Sequence, residues 1–280
     1  GANLSYNTIQ GAMKASERNT FSGSVMLSYT LKNVIFKNQT IIDINKGVES
    51  KYGTFSDYVN MNPYYRTKDE NGQYIKTYKE KGLNIPNPLY DANLNTINEK
   101  KYTTITNNFS IEWNIANALK LRAQLGLQKQ TNTSDYYLPA DHTEFDTYNG
   151  SDSYFRKGKY VYGTGEDMNI DGNATLSYSK VFAEKHQVYA GFDYSISQRK
   201  NHFYEFTVEG FSDEKLDFLS NALQYEKNGV PKGTEELSRR IGFTGNVNYI
   251  YDNRYFADFS YRVDGSSLFG TKNKFAPFWS

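Results

Sequence analysis

His142, His186 and His202 are the chain's three histidines. Imidazoles hold metal when they share a helix face, as in His-Glu-x-x-His. None of the three has that spacing, so each reads as a solvated or turn histidine. Two acidic doublets, Asp213-Glu214 and Glu235-Glu236, bring together the paired carboxylates of acid–base or glycoside chemistry. Both are placed in loops, where solvated charge is the ordinary role. Gly163-Thr164-Gly165 is too short to cradle a phosphate and reads as a loosened external loop. No Gly-x-Ser-x-Gly elbow or Ser/His/Asp arrangement stands out. With 0 cysteines, thiol nucleophiles, disulfides and cysteine-bound zinc are excluded. No catalytic, cofactor-binding or metal-ligating residue is therefore assigned, and the chain is expected to be neither an enzyme nor a cofactor carrier. Tyr58, Tyr64, Tyr65, Tyr136, Tyr137, Tyr148, Tyr154 and Phe155 fall in predicted external loops. Such rings stack on sugars or pack on one another, so no substrate-binding residue is named.

With no chemistry to position, function must come from architecture. The chain has 280 residues and a formal charge of +1, which leaves no basic footprint for nucleic acid. Its 25 tyrosines and 18 phenylalanines suit a boundary between grease and water, since tyrosine carries an apolar ring with a wet tip. They suit an aromatic-rich soluble β-sandwich equally. No apolar run reaches the roughly 20 residues of a spanning helix. No signal peptide is visible at Gly1, as expected of a mature or truncated exported protein.

Eight segments alternate apolar and polar residues with the period of a half-buried strand: residues 21–31, 34–45, 102–115, 119–130, 168–182, 187–208, 241–251 and 255–264. In the fourth, Leu119, Leu121, Ala123, Leu125 and Leu127 oppose Lys120, Arg122, Gln124, Gln128 and Gln130. Directly opposed residues of a hairpin point to one face, so strand phase dictates the parity of each turn. Lys32-Asn33 satisfies the even requirement. Ala116-Asn117-Ala118, Ala183-Glu184-Lys185 and Asp252-Asn253-Arg254 satisfy the odd one. That register puts Glu112 opposite Arg122 on the polar face and Trp113 opposite Leu121 on the apolar face.

The other connections, 46–101, 131–167 and 209–239, are far longer than compact soluble domains use. Short turns alternating with long loops are the pattern of an outer-membrane barrel, turns periplasmic and loops external. Asn71-Gly72, Asn149-Gly150 and Asn228-Gly229 mark turns inside those loops. A polar face dense in amides, hydroxyls and charges cannot line a filled core; it requires a wet lumen or a polar plug. The expected fold is all-β: an antiparallel transmembrane β-barrel sector of about eight to nine strands. Residues 3–9 are read as the end of an earlier outgoing strand, and a ninth strand as beginning near Phe275.

Asp264-Gly265-Ser266-Ser267-Leu268-Phe269-Gly270, followed by an Asn-Lys-rich loop and an aromatic-Pro-Phe segment, resembles the SusC/RagA family of TonB-dependent outer-membrane transporters of Bacteroidetes. The family commonly has Arg where this chain has Leu268. Tyr52-Gly53-Thr54-Phe55-Ser56-Asp57-Tyr58, continuing through Asn62-Pro63-Tyr64-Tyr65-Arg66 and Asp69-Glu70-Asn71-Gly72, is similar to an external segment of that family. Asn107-Asn108-Phe109-Ser110-Ile111-Glu112-Trp113-Asn114, with Leu119-Lys120-Leu121-Arg122 and Leu125-Gly126, is similar to one of its hairpins. The resemblance implies a barrel of about 22 strands in the Gram-negative cell outer membrane, closed by a plug and energised through TonB. It also implies a SusD-like surface lipoprotein partner, and oligosaccharide or peptide cargo. Residues 1–280 are expected to be part of the barrel domain, with the plug and the TonB-contacting N-terminal region absent. The readings from other classes are a soluble all-β carbohydrate-binding protein and a passive outer-membrane porin.

Overall fold

A computed structural model describes residues 1–151, 153–270 and 274–280. The Asn-Lys-rich stretch 271–273 of the resemblance lies outside the described residues. The strands are β1 (Ala2–Gln10), β2 (Glu17–Leu31), β3 (Val34–Val48), β4 (Thr77–Glu80), β5 (Leu83–Pro86), β6 (Ile97–Ala116), β7 (Leu119–Leu138), β8 (Lys159–Phe182), β9 (His186–Glu209), β10 (Gln224–Tyr225), β11 (Lys232–Tyr251), β12 (Tyr255–Ser266) and β13 (Phe275–Trp279). One antiparallel sheet runs β1-β2-β3-β6-β7-β8-β9-β11-β12-β13, with β10 on the side of β9. All eight expected strands are present, flanked by the two terminal ones. No described helix is long and apolar enough to cross a membrane.

The turns follow from strand phase. Leu31 pairs with Val34 across Lys32-Asn33, Phe182 with His186 and Tyr251 with Tyr255. Ala183, Glu184, Asp252 and Asn253 all hold positive φ, the conformation that matches a tight turn to the twist of its strands. Between β6 and β7 the extra residue becomes a bulge, with Asn114 opposite Lys120 and Ala116 opposite Leu119. Glu112 pairs with Arg122 and Trp113 with Leu121, as the register required.

One face of the wall is apolar. A rung across it reads Phe36, Ile111, Ala123, Ala174, Tyr194, Phe243 and Val263. Leu27, Val25, Phe192 and Phe259 are exposed on this face; no second sheet covers it among the described residues. From Leu119 to Leu127 the apolar row is about 27 Å along the strand. At the usual tilt it stands about 21 Å high, close to the apolar band of an outer-membrane barrel.

The strands outrun that band. β8 and β9 reach 24 residues each, so the long connections shrink to residues 49–96, 139–158 and 210–231. Above the band a small core forms on the outward face. Tyr137, Tyr160 and Val208 share one rung and are capped by Phe211 from the loop after β9. The Tyr137 and Phe211 rings meet edge to face at 5.1 Å. In the first long loop, β4 and β5 form a hairpin over Lys81-Gly82, both at positive φ.

Candidate functional site: a polar wall and its external loops

The opposite face of the sheet is a continuous polar surface, and cross-strand pairing holds its side chains in order. Thr104 Oγ1 donates to Gln130 Oε1 at 3.0 Å, Gln130 Nε2 to Asn132 Oδ1 at 2.7 Å, and Asn132 Nδ2 to Asp167 Oδ2 at 2.7 Å. A second row links Arg199 Nε to Asn169 Oδ1 at 3.1 Å and Asn169 Nδ2 to Gln128 Oε1 at 2.9 Å. Farther toward the short turns, Glu112 receives Lys120 and stands 3.5 Å from Arg122 Nε. Amides bonded in rows keep one donor or acceptor free per group.

A cavity of about 830 Å³ opens on this face, lined by Asn108, Gln124, Asp171, Asn173, Arg240 and Asp264. Leu268 and Phe269 also line it, so the 264–270 motif bends from the top of β12 over the polar wall. Arg262 Nε holds both carboxylate oxygens of Asp264, at 2.9 and 2.8 Å.

Sequence reading missed a polar island on the apolar face. Asn38 and Asn107 exchange amide hydrogen bonds at 3.0 and 3.2 Å, and Asn107 Nδ2 reaches Thr40 Oγ1 at 2.9 Å. These residues have the phase of Phe36 and Phe109. The signal was the break that they make in the apolar rows of β3 and β6.

The predicted solvated groups find structural partners. His142 caps a short 3-10 turn, accepting from the Glu144 N–H at Nδ1, and its Nε2 lies 3.8 Å from Asp91. Burial pushes its pKa below the ordinary imidazole value, against the opposing pull of Asp91 and Glu144. His186 Nδ1 bonds Tyr249 Oη at 2.7 Å. The His202 ring lies 5.5 Å from that of Tyr204. Among the described residues no group of three His, Asp or Glu is arranged to hold a metal ion.

Three placements are corrected. Gly163-Thr164-Gly165 lies in β8, not in a loop. A Cβ on Gly163 would stand 2.7 Å from the Phe203 ring, and one on Gly165 2.6 Å from the His202 carbonyl, so these glycines admit β9 and its aromatic ring. Glu235-Glu236 belongs to β11, with Glu235 3.3 Å from Lys200. Tyr136 and Tyr137 belong to β7. Asp213 stays in a loop and accepts from the Lys215 N–H. Of the loop aromatics, Tyr65 stacks on Tyr78 at 4.3 Å and Tyr148 lies under Arg156. Tyr64, Tyr154 and Phe155 are exposed.

This is the fold of a sector of an outer-membrane TonB-dependent transporter barrel. No family model matches the chain. It is 23% identical over 277 residues to the TonB-dependent receptor P39 of Formosa agariphila, covering 96% of this chain and 25% of that protein. It superposes on a chain of the RagAB peptide transporter with a TM-score of 0.78 at 20% identity, over 99% of this chain and 31% of that one. On the ferric citrate transporter FecA the TM-score is 0.56 at 8% identity, over 100% of this chain and 35% of that one. The resemblance to SusC/RagA transporters is thus borne out: in sequence the chain is similar to a TonB-dependent receptor, and in fold to RagAB. These relatives are transporters and receptors, and the chain spans about a quarter to a third of their length.

Proposed function

We propose that residues 1–280 supply part of the barrel domain of a TonB-dependent importer, which takes up oligosaccharides or peptides across the outer membrane. The observation that carries this reading is the hydrogen-bonded polar wall backed by an uncovered apolar face. That pairing serves a wet passage through lipid. The plug and the TonB-contacting region are assigned to other parts of a longer protein. A SusD-like surface lipoprotein is assigned as the partner that closes over the external loops. The match to RagAB, a peptide transporter, supports both the partner and a peptide among the cargoes.

The test is uptake by whole cells carrying the full-length gene or its deletion. Labelled oligosaccharide and peptide pools are offered, with and without TonB. Import that needs both the gene and TonB is expected. Import that persists without TonB would mark a passive porin instead.

A further inference from the structure

The hydrogen-bonded rows of the polar wall stop at the cavity. Asn108, Gln124 and Asn173 line it, and none of the three makes a side-chain hydrogen bond with a described residue. Four charged side chains line it as well: Asp171, Arg240, Arg262 and Asp264. Their formal charges sum to zero, but only half of them are paired. Arg262 and Asp264 close on each other. Asp171 and Arg240 have neither an ion-pair nor a hydrogen-bond partner among the described residues. Arg199, the next inward cation along β9, donates from Nε to Asn169 instead.

Strand pairing fixes the separation of the two open charges. Asp171 of β8 faces Ser197 of β9, and Ser197 faces Arg240 of β11. Two strand spacings put the backbones of Asp171 and Arg240 about 10 Å apart. Ser197 is too short to bridge them. Gly126 faces Asp171 on its other side, and Gly242 follows Arg240 on the same face of β11, so the floor around the pair stays low. This row lies beside the Leu127–Ile170 rung, at the long-loop end of the apolar band. Cargo arriving from the loops would meet it early. Leu268 and Phe269 add an apolar margin to the cavity.

We propose that this cavity binds short zwitterionic peptides, with the terminal ammonium on Asp171 and the terminal carboxylate on the Arg240 guanidinium. Three extended residues reach about 10 Å, so a tripeptide spans the two charges. A guanidinium fork takes a carboxylate through two hydrogen bonds. Asn173 and Ser197 offer donors and acceptors to the peptide groups, and Leu268 and Phe269 offer a surface to an apolar side chain. A neutral oligosaccharide would cover both ions without pairing either, which removes water from them and returns no partner. The assignment rests on the reading of this wall as the side of a wet passage, and it names which of the two cargo classes the passage accepts here.

The test measures binding of radiolabelled Ala-Leu-Ala to the full-length protein in detergent by equilibrium dialysis, beside its N-acetylated form, its C-amidated form and maltotriose as competitor. In the wild type either cap should weaken binding about tenfold, and maltotriose should not compete. Asp171→Asn should erase the effect of acetylation alone, and Arg240→Gln the effect of amidation alone. Heat-modified gel migration reports folding, and the wild-type comparison of capped with free peptide stands if a variant does not fold. No binding of the free peptide, equal binding of capped and free forms, competition by maltotriose, or cap effects that survive both substitutions would overturn the proposal. Uptake by whole cells separates it from the importer reading. TonB-dependent import of Ala-Leu-Ala that ignores both substitutions removes the site and keeps the importer. Import that needs Asp171 and Arg240 but not TonB keeps the site and removes the importer.

Discussion

Asn107→Ala probes whether the apolar face meets hydrocarbon. The substitution removes all three hydrogen bonds of the island and strands the Asn38 carboxamide beside Thr40, Phe36 and Phe109. In water the orphan amide would rehydrate at little cost. In lipid it has no new partner, and an unmade bond there costs about 1–3 kcal/mol. Replacing both amides removes the polarity altogether, so N38V/N107V should unfold within about 1 kcal/mol of wild type. The single variant should then be less stable than the double, a coupling that a double-mutant cycle reads directly. Urea unfolding of the full-length protein in phospholipid vesicles is the assay. Trp113, on the same strand and face as Asn107, serves as a fluorescent reporter. If the single variant matches wild type, or the double is worse than the single, the face is not in hydrocarbon and the reasoning fails.

Gly165→Ala should push β8 from β9 above the membrane, because its Cβ meets the backbone carbonyl of His202. A loss of about 1–3 kcal/mol and faster amide exchange at residues 201–205 are expected; unchanged exchange would disprove the contact. Tyr137→Ala should cost about 3–5 kcal/mol locally and release residues 210–223, read as protease cleavage confined to that loop. His142 has a folded pKa below its unfolded value, so the unfolded loop takes up the proton first. The stability it lends is complete above about pH 6.5 and falls as the pH drops from there toward its folded pKa. Protection of residues 139–150, measured against the intrinsic exchange rate at each pH, should accordingly fall from pH 7.5 to 5.5, and His142→Gln should flatten that dependence.

The membrane-level part of the fold was legible because one face meets lipid and the other water, so each residue's chemistry reports its side. Turn parity then tied neighbouring strands, down to the Glu112–Arg122 and Trp113–Leu121 pairs. Above the band both faces meet water or loops, and alternation fades. The upper halves of β8 and β11 therefore have the sequence of loops, although ladder pairing continues through Gly163, Gly165, Glu235 and Glu236. The Tyr137–Phe211 core escaped for a related reason: it joins a strand to a loop 74 positions on by tertiary packing alone. The motif 264–270 announced a transporter resemblance, but its bend over the polar cavity is set by where β12 stops pairing.

Single-cysteine accessibility along β7 is the most direct test of the two-faced wall, and residues 1–280 contribute no cysteine of their own. Each of residues 119–130 in turn is replaced by Cys in the full-length protein, spin-labelled in membranes, and probed with oxygen and with a water-soluble nickel relaxant. Oxygen should dominate at 119, 121, 123, 125 and 127, and nickel at 120, 122, 124, 128 and 130. Equal nickel access at both sets, or protection of the odd set from both relaxants, would show that no lipid touches this face.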